Sequence, residues 1–355
     1  MGAFHINSLF LSDQPTGLGV YTREILKRSI EFVNLNQFNV LLTKNQTIEL
    51  MGIERKKEIT PHIALNPLIR PMYLNRISTE FMYSLTHHGR TSKRGRQIIT
   101  IHDLIPLKFP KQYKSQYYYY KYILPKTIAA SDLIITISEH TKKDIIEQFN
   151  VREEKIKVIY NGYEHIVNEN DVVEESTSGK PYLLMVGATY AHKNIHTVLQ
   201  AYAKIKDKTE LNAIIVGKSS EYFDEIKKLS SDLGIENRVQ FLGYVSNKEL
   251  SDLYRNARIF IYPSLYEGFG LPILEAMHYG TPTIAANASV IPEIAADATV
   301  YIDPLNTEDI ADAILLLNHD SALREKMIRI GKENVKRFTW DNAAADIKEL
   351  LQSYV

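Results

Sequence analysis

The chain of 355 residues contains no cysteine, which excludes disulfide bonds, thiolate metal sites and cysteine nucleophiles. It also has no net charge, because 42 Lys+Arg balance 42 Asp+Glu, and so gives no overall electrostatic reason to bind nucleic acid. Nowhere do 18 apolar residues run together, and the N-terminus "MGAFHINSLFLSDQ" lacks a basic start followed by a long apolar core. These absences predict a cytoplasmic protein without a membrane-spanning helix.

The neutral total conceals an uneven distribution of charge. Residues 1–165 hold 23 Lys+Arg and 15 Asp+Glu, a net +8, whereas residues 166–355 hold 19 and 27, a net −8. A basic N-terminal half is suited to an anionic membrane surface or an anionic substrate. Scattered solvated lysines explain the same counts, so both interpretations stay open.

Short apolar strand patterns alternate with amphipathic helical patterns along most of the chain, from "FHINSLFL" to "KIKVIYNG" and again from "YLLMVGA" onward. This alternation predicts two doubly wound parallel sheets, and 355 residues are enough for two domains. The polar, acidic stretch "VNENDVVEESTSGK" separates the two patterns. We therefore predict a first domain over 1–167, a linker over 168–181 and a second domain over 182–337. Two such sheets would face a central cleft at the carboxyl ends of their strands.

The segment "RIFIYPSLYEGFGLPILEAMHYGTPTIAAN" at 258–287 predicts a strand, glycine turn, helix and second strand. Strands are expected at 259–262 and 283–286, with Pro272 in the first turn of the helix and Gly280 beyond its end. The free N–H groups at such a helix start favour an anion. Glycine turns before helices are common, however, and many bind nothing.

Two glutamates flank this turn, Glu267 at its mouth and Glu275 inside the helix. Carboxylates next to a phosphate are unfavourable unless they accept hydrogen bonds from hydroxyl groups on either side of it. The pattern therefore suggests a sugar nucleotide as ligand.

Three further stretches are candidates at predicted strand ends. "IITIHDLIPLKFP" places His102 and Asp103 after a buried strand, where they either contact a sugar or phosphate or form a local cap. "VGATYAHKN" places Lys193 at a helix start, as a phosphate ligand or a solvated lysine. In "TGLGVYTREIL", Gly17 and Gly19 precede a helix, either as a loop that allows close approach or as a plain turn.

The run "YYYYKY" at 117–122 lies among several lysines. Tyrosines and lysines together are typical of segments at a membrane interface. A packed helix with one tyrosine face is the slightly favoured alternative.

Taken in order, these motifs resemble the retaining glycosyltransferases of family 4, which have the GT-B fold. The resemblance covers nearly the whole chain, through "TGLGVYTREIL", "IHDLIPLKFP", "VGATYAHKN", "EGFGLPILE" and "FTWDNAA". It is greatest to mannosyltransferase-like and rhamnosyltransferase-like enzymes of bacterial surface polysaccharides. It implies an acceptor-binding first domain, a donor-binding second domain and a C-terminal helix, 338–355, that crosses back to the first domain.

The resemblance also implies site residues. Glu267 would contact the donor sugar, Glu275 the nucleotide ribose and Lys193 the diphosphate, while His102 would lie near the reacting sugar. Backbone amides around the sugar and diphosphate are implied at Phe269, Gly270 and Leu271, and a loop that closes over the phosphates at Gly17 and Gly19. The sequence departs from many relatives at Ala188 and His192, where arginine is common.

The implied reaction transfers a sugar, with retention, from a nucleoside-diphosphate sugar to a glycan or lipid-linked glycan. GDP-mannose is the favoured donor over dTDP-rhamnose or a UDP-sugar. No cofactor and no metal ion are expected, nucleic acid is not expected as a partner, and peripheral contact with the inner face of the cell membrane is expected through the basic domain. An NAD-linked dehydrogenase and a noncatalytic sugar-nucleotide-binding subunit are the alternatives. The stretch that begins at Gly17 has Thr22 in place of the third glycine of the G-x-G-x-x-G dinucleotide-binding motif, which counts against the dehydrogenase.

Overall fold

The computed structural model describes residues 4–9, 17–32, 38–43, 56–59, 69–166 and 180–354. The chain divides into two compact units, Met1–His165 with Phe338–Val355, and Ile166–Arg337. The predicted linker at 168–181 lies, except for its last two residues, outside the described residues.

The first unit is built on a seven-stranded sheet in which every pairing is parallel. Its strands are β1 (Phe4–Asn7), β2 (Phe38–Thr43), β3 (Lys56–Ile59), β4 (Phe81–Ser84), β5 (Arg96–Ile101), β6 (Leu133–Thr136) and β7 (Ile156–Val158). Their order across the sheet is β3-β2-β1-β4-β5-β6-β7. The direction of strand order therefore reverses between β1 and β4, where open α/β sheets expose their functional loops.

Helices connect these parallel strands. They are α1 (Gly17–Phe32), α2 (Ile69–Leu74), α3 (Ile105–Lys108), α4 (Lys114–Tyr122), α5 (Leu124–Ala130) and α6 (Glu139–Phe149). Helix α6 begins where the Ser138 hydroxyl accepts the N–H of Thr141, and it ends at Asn150 in the left-handed conformation. One core of this unit packs β5 and β6 against α4 and α5 through Ile99, Ile101, Ile134, Tyr119 and Leu124.

The second unit contains a six-stranded sheet, again with parallel pairings throughout. Its strands are β8 (Tyr182–Val186), β9 (Asn212–Val216), β10 (Val239–Leu242), β11 (Ile259–Tyr262), β12 (Thr283–Ala286) and β13 (Val300–Ile302). Their order is β10-β9-β8-β11-β12-β13. The prediction of two doubly wound parallel sheets is confirmed.

Helices connect the parallel strands of this unit. They are α7 (Ile195–Ile205), α8 (Glu221–Asp232), α9 (Asn247–Asn256), α10 (Leu271–His278), α11 (Ile291–Ala295), α12 (Thr307–His319) and α13 (Ser321–Asn334). The start of α9 is fixed by a capping box, in which Ser246 and Glu249 each bind the other's backbone N–H. Fully buried apolar residues of β8, β9, α7 and α12 form the core.

The last helix, α14 (Trp340–Gln352), belongs to the first unit. It starts where the Thr339 hydroxyl accepts the N–H of Asn342, and it packs on α1, where Arg28 pairs with Asp341 at 2.6 Å. Trp340 is fully buried, with its ring 6.1 Å from that of Tyr21. Among the described residues, no helix combines the length and the hydropathy that crossing a bilayer requires.

Candidate functional site

The polar side chains of the second unit converge on one edge of its sheet. Strands β8 and β11 are neighbours, with Leu183 opposite Ile259 and Leu184 opposite Phe260. Because both strands are parallel, the loops that follow them leave the same edge. Lys193 follows β8 and Glu267 follows β11, so residues 74 positions apart in the chain meet here.

Lys193 and Glu267 form a direct ion pair. The Lys193 Nζ lies 2.6 Å from Glu267 Oε1, and both side chains are largely buried, at 18% and 8% exposed. The same ammonium lies 5.8 Å from the centre of the Tyr262 ring. Gly187 directly follows β8 and has φ +89°, a backbone conformation that favours glycine. A Cβ there would lie in ordinary van der Waals contact with the Lys193 side chain, at 3.8 Å.

Burial and neighbouring charges give Glu267 and His192 different protonation states. Burial acts to raise the pKa of Glu267, but the charge of Lys193 and the hydrogen bonds from Lys193 and Ser264 act against it, and the pKa falls below its usual value. His192 is almost fully buried, and this burial lowers its pKa to about 4 even though Glu267 lies nearby. At neutral pH the site therefore holds an ionised Glu267 and an uncharged His192.

Asn194 holds the Lys193 loop in place. It adopts the left-handed conformation, with φ 60°, and is fully buried. Its amide donates to the carbonyls of Pro263, at 3.2 Å, and Pro304, at 2.6 Å, while its carbonyl oxygen accepts the Thr197 hydroxyl. One side chain thereby ties together the loops after β8, β11 and β13.

The Glu267 loop is fixed from a third strand end. Ser289, which follows β12 and has φ 56°, accepts the N–H of Glu267 at 3.1 Å and donates its hydroxyl to the Glu267 carbonyl at 2.9 Å. On the other side, the N–H of Leu265 donates to the carbonyl of His192. The position of Glu267 therefore depends on backbone bonds to two neighbouring loops.

Helix α10 opens directly from this loop. Gly270 precedes it with φ 99°, a conformation that favours glycine, and no side chain caps the helix start. Pro272 lies in the first turn, as predicted, Phe269 is buried, and Leu271 is the first helical residue. The first N–H groups of an α-helix have no intrahelical partners, so this end attracts negative charge.

Glu275 lies one turn further along α10 and is 4% exposed. Its Oε2 accepts a hydrogen bond of 2.8 Å from the hydroxyl of Tyr254 on α9. Within the described ranges, no group of three or more His, Asp or Glu side chains is arranged to hold a metal ion.

In the first unit, His102 follows β5 and is 5% exposed. Its Nε2 lies 3.0 Å from the Leu85 carbonyl, so this nitrogen carries the proton and Nδ1 is left as an acceptor. Burial lowers the pKa of His102 to about 4. Tyr21 packs edge-on against the ring at 4.6 Å, and Asp103 accepts the N–H of Ile105. The bond to Ile105 matches the local capping role considered for Asp103.

The structure corrects the prediction for Gly17 and Gly19. Helix α1 begins at Gly17, so both glycines lie in its first turn rather than ahead of the helix. The reason is that glycine, although a weak helix former, is tolerated at a helix start where packing fixes the rest. The residues before them, 10–16, lie outside the described residues.

Sequence reasoning missed the residues that orient the site. Tyr254, Ser289 and Asn194 are not among the candidates that the sequence motifs indicate, although Asn194 directly follows Lys193 in "VGATYAHKN". Polar residues that act through partners on distant segments carry no local signal. For Tyr254, the one available hint is a bulky hydroxyl-bearing side chain on the buried face of an amphipathic helix.

Comparison with known proteins addresses identity. The model named "Glycosyltransferase Family 4" matches residues 76–165, and the model named "Glycosyl transferases group 1" matches residues 167–334. The O-antigen chain mannosyltransferase RfbU of Salmonella typhimurium is 34% identical over 244 residues, which cover 66% of this chain and 67% of RfbU. The chain belongs to the family 4 glycosyltransferases. This assignment excludes the dehydrogenase alternative.

Other matches extend along the full length of this glycosyltransferase. O-antigen chain mannosyltransferase B of Escherichia coli is 26% identical, and the match covers 92% of this chain and 93% of that mannosyltransferase. The structure of HepE from Anabaena in complex with UDP and glucose superposes with a TM-score of 0.75, 20% identity and 99% and 100% coverage of the two chains. The fold of this glycosyltransferase is therefore GT-B.

The two family models cover most of the candidate residues of this glycosyltransferase. Lys193, Glu267 and Glu275 lie within the group 1 match, and His102 lies within the family 4 match. Gly17 and Gly19 lie outside both matches.

Proposed function

We propose that this glycosyltransferase moves a sugar, with retention of configuration, from a nucleoside-diphosphate sugar to a glycan or lipid-linked glycan of a surface polysaccharide. The ion pair between Lys193 and Glu267, in the loop that opens into α10, carries this proposal. The ammonium of Lys193 and the uncapped N–H groups of the helix start suit a diphosphate. The nearby carboxylate of Glu267 suits the hydroxyl groups of an attached sugar. The names of the O-antigen mannosyltransferase relatives favour mannose, and hence GDP-mannose as donor.

Lys193 is the residue proposed to bind the diphosphate. A lysine ammonium has three N–H donors, and in the described residues one of them goes to Glu267. The other two are available for phosphate oxygens. His192 is uncharged at neutral pH, so the positive charge at this point comes from Lys193, supplemented by the N–H groups of Phe269, Gly270 and Leu271.

Charge governs the proposed reaction. The bond between the anomeric carbon and the diphosphate oxygen breaks, and the sugar becomes oxocarbenium-like while negative charge gathers on the leaving group. Fixed dipoles and the Lys193 ammonium stabilise that charge without reorganising. The acceptor hydroxyl then bonds to the anomeric carbon on the same face and gives its proton to the departing phosphate. No carboxylate acts as nucleophile, and we propose that no metal ion is required.

The remaining roles follow from the site chemistry. Glu267 would accept hydroxyl groups of the donor sugar, and Glu275 would accept the ribose hydroxyls. His102, with Nδ1 as acceptor, would take a hydrogen bond from a sugar hydroxyl. Gly17 and Gly19 are proposed to leave room for the phosphates at the start of α1.

The proposal also includes peripheral contact with an anionic membrane surface, on the cytoplasmic side, through the first unit. Helix α4 presents two tyrosines to solvent, Tyr118 at 59% and Tyr122 at 55% exposed, with Lys121 between them in the chain. Exposed tyrosines beside lysines suit the boundary between water and lipid headgroups.

A binding panel followed by one product assay tests the proposed function. Calorimetry with GDP-mannose, dTDP-rhamnose, UDP-glucose and NAD should show the tightest binding to a nucleoside-diphosphate sugar, with GDP-mannose expected first. Transfer from GDP-mannose, whose glycosyl bond is α, to octyl α-mannoside, followed by nuclear magnetic resonance, should give an α-linked product at a rate that EDTA leaves unchanged. A β-linked product would refute retention, and sugar-nucleotide binding without any transfer would favour the noncatalytic alternative.

A further inference from the structure

Tyr254 is held rigidly in the core of the second unit with its hydroxyl on Glu275. The side chain is fully buried, and the hydroxyl donates to Glu275 Oε2 at 2.8 Å. Its ring lies parallel to that of Tyr279, with centres 6.2 Å apart, and edge-on to Phe260 at 5.4 Å. The Tyr254 carbonyl accepts the Thr281 hydroxyl, which ties α9 to the segment before β12. The hydroxyl therefore has little freedom to leave the carboxylate.

This contact determines what Glu275 can do. An ionised carboxylate accepts through two oxygens, each with two lone pairs, and rotates freely unless one oxygen is held. A donor fixed on Oε2 sets the plane of the carboxylate, and with it the directions of the remaining lone pairs. Burial, followed by the charge of Glu275, raises the pKa of Tyr254 well above its usual value, so the hydroxyl keeps the proton that it donates.

We infer that Tyr254 is a positioning residue for nucleotide recognition: its hydroxyl holds the Glu275 carboxylate in the orientation that accepts the two ribose hydroxyls of the donor. The inference rests on the proposed function, in which Glu275 reads the ribose. Tyr254 itself need not touch the nucleotide. Its effect should therefore depend on whether the ribose hydroxyls are present.

The test compares Tyr254→Phe with a matched control. Tyr254→Phe removes one oxygen and keeps the ring contacts. Tyr202→Phe is the control, because Tyr202 is also fully buried in the second unit and donates its hydroxyl to a backbone carbonyl, that of Leu211. Calorimetry measures the affinity of each protein for GDP and for 2′,3′-dideoxy-GDP. If the base of the donor proves to be uracil, UDP and 2′,3′-dideoxy-UDP take their place.

We expect Tyr254→Phe to weaken GDP binding about tenfold, as the loss of one hydrogen bond to a charged group implies. The same variant should bind the dideoxynucleotide as the wild type does, and Tyr202→Phe should bind both nucleotides unchanged. In a Glu275→Ala background, Tyr254→Phe should cause no further loss of GDP affinity. Unchanged GDP binding by Tyr254→Phe, an equal loss for both nucleotides, or additive losses in the double variant would each overturn the inference.

Failure of the underlying function is visible separately, in the wild type alone. If the wild type bound GDP and its dideoxy analogue equally tightly, Glu275 would not read the ribose, and the role of Tyr254 would be refuted with it. If the wild type discriminated strongly and Tyr254→Phe did so to the same degree, the role of Glu275 would stand and that of Tyr254 alone would be refuted.

Discussion

Glu267 and Glu275 are two buried acceptors on one loop and helix, yet their partners differ in kind. Glu267 is paired with a cation, Lys193, at 2.6 Å, whereas Glu275 accepts from a neutral hydroxyl, that of Tyr254, at 2.8 Å. A ligand phosphate that binds Lys193 would use the two N–H donors that Glu267 does not take, so both can share the ammonium. A ligand hydroxyl that binds Glu275 adds to an existing hydrogen bond.

This difference predicts distinct effects of removing each carboxylate. Glu275→Ala should raise the donor KM and weaken binding of the free nucleoside diphosphate at least about tenfold, because charged hydrogen bonds to the ribose are lost. Glu267→Ala should nearly keep that affinity, since Lys193 remains and the free diphosphate has no sugar to contact. The kcat of Glu267→Ala should fall by a larger factor than its affinity for the nucleoside diphosphate, because a carboxylate facing the sugar stabilises the positive charge of the transition state.

Steady-state kinetics, together with calorimetry of the free nucleoside diphosphate, make this comparison. The reverse pattern, with Glu267→Ala abolishing nucleoside diphosphate binding and Glu275→Ala leaving it intact, would show that sugar and nucleotide lie the other way along the loop.

At the scale of single residues, the sequence predicts candidate side chains but not the partners that they contact in the fold. Lys193, Glu267 and Glu275 were recognisable from glycine turns and helix starts, which are local signals. The pairing of Lys193 with Glu267 depends on β8 lying beside β11, and spacing along the chain does not report that. The same holds for Ser289 and Asn194, whose hydrogen bonds reach 22 and 110 positions away.

At the scale of elements, strong apolar runs were predicted well and weak ones were missed. The strands expected at 259–262 and 283–286 are β11 and β12 at those bounds. Strands β3 (KKEI), β4 (FMYS) and β13 (VYI) went unpredicted, because runs of three or four residues carry little periodic signal and β3 is mostly charged. Such short strands form because a neighbouring strand offers a hydrogen-bonding edge.

Helix α4, which contains the tyrosine run, has one packed tyrosine face and one exposed tyrosine face. Tyr119 and Tyr120 are buried, and their hydroxyls contact the carbonyl and ring of His87, so one face is packed. Tyr118 and Tyr122 are exposed on the other face, with parallel rings 6.4 Å apart. The packed face fixes the helix, and the exposed face is available for a surface.

We therefore predict that α4 supports binding to anionic vesicles. In flotation assays the protein should rise with phosphatidylglycerol vesicles but not with phosphatidylcholine vesicles, and added salt should weaken the association. Replacing both Tyr118 and Tyr122 with serine should lower recovery, because interfacial aromatic area is lost. Tyr244→Ser is the matched control, since Tyr244 is similarly exposed, at 57%, in the second unit. Equal recovery with both lipids at any salt would rule out this contact.

At the scale of the whole molecule, the alternation of strands and helices was sufficient to predict two parallel sheets. The strand order in each sheet was not predicted. In both sheets the order reverses at the first strand, with β1 between β2 and β4 and β8 between β9 and β11. The right-handed crossover rule limits such arrangements, but the choice among them depends on side-chain packing across the sheets.

Each unit also buries a histidine in uncharged form, which links folding to pH. His102 in the first unit and His192 in the second both have a pKa lowered to about 4, chiefly by burial. In an unfolded chain a histidine has a pKa of about 6.5. Between these values the unfolded chain binds more protons than the folded one. The stability that these histidines contribute is therefore complete above pH 6.5 and is lost as the pH falls toward 4.

We predict that the thermal midpoint falls between pH 6.5 and 4.5, and that His192→Gln reduces this dependence. Each such histidine adds at most about 1.4 kcal/mol per pH unit to the slope of the unfolding free energy. Carboxylates such as Glu267, whose pKa is lowered in the fold, also contribute less stability as the pH falls. The informative quantity is therefore the difference in pH slope between the variant and the wild type. His319→Gln, on an exposed residue of α12, is the control substitution. If His192→Gln unfolded with the same pH slope as the wild type, His192 would be protonated equally in both states, and its burial would not lower its pKa in the fold.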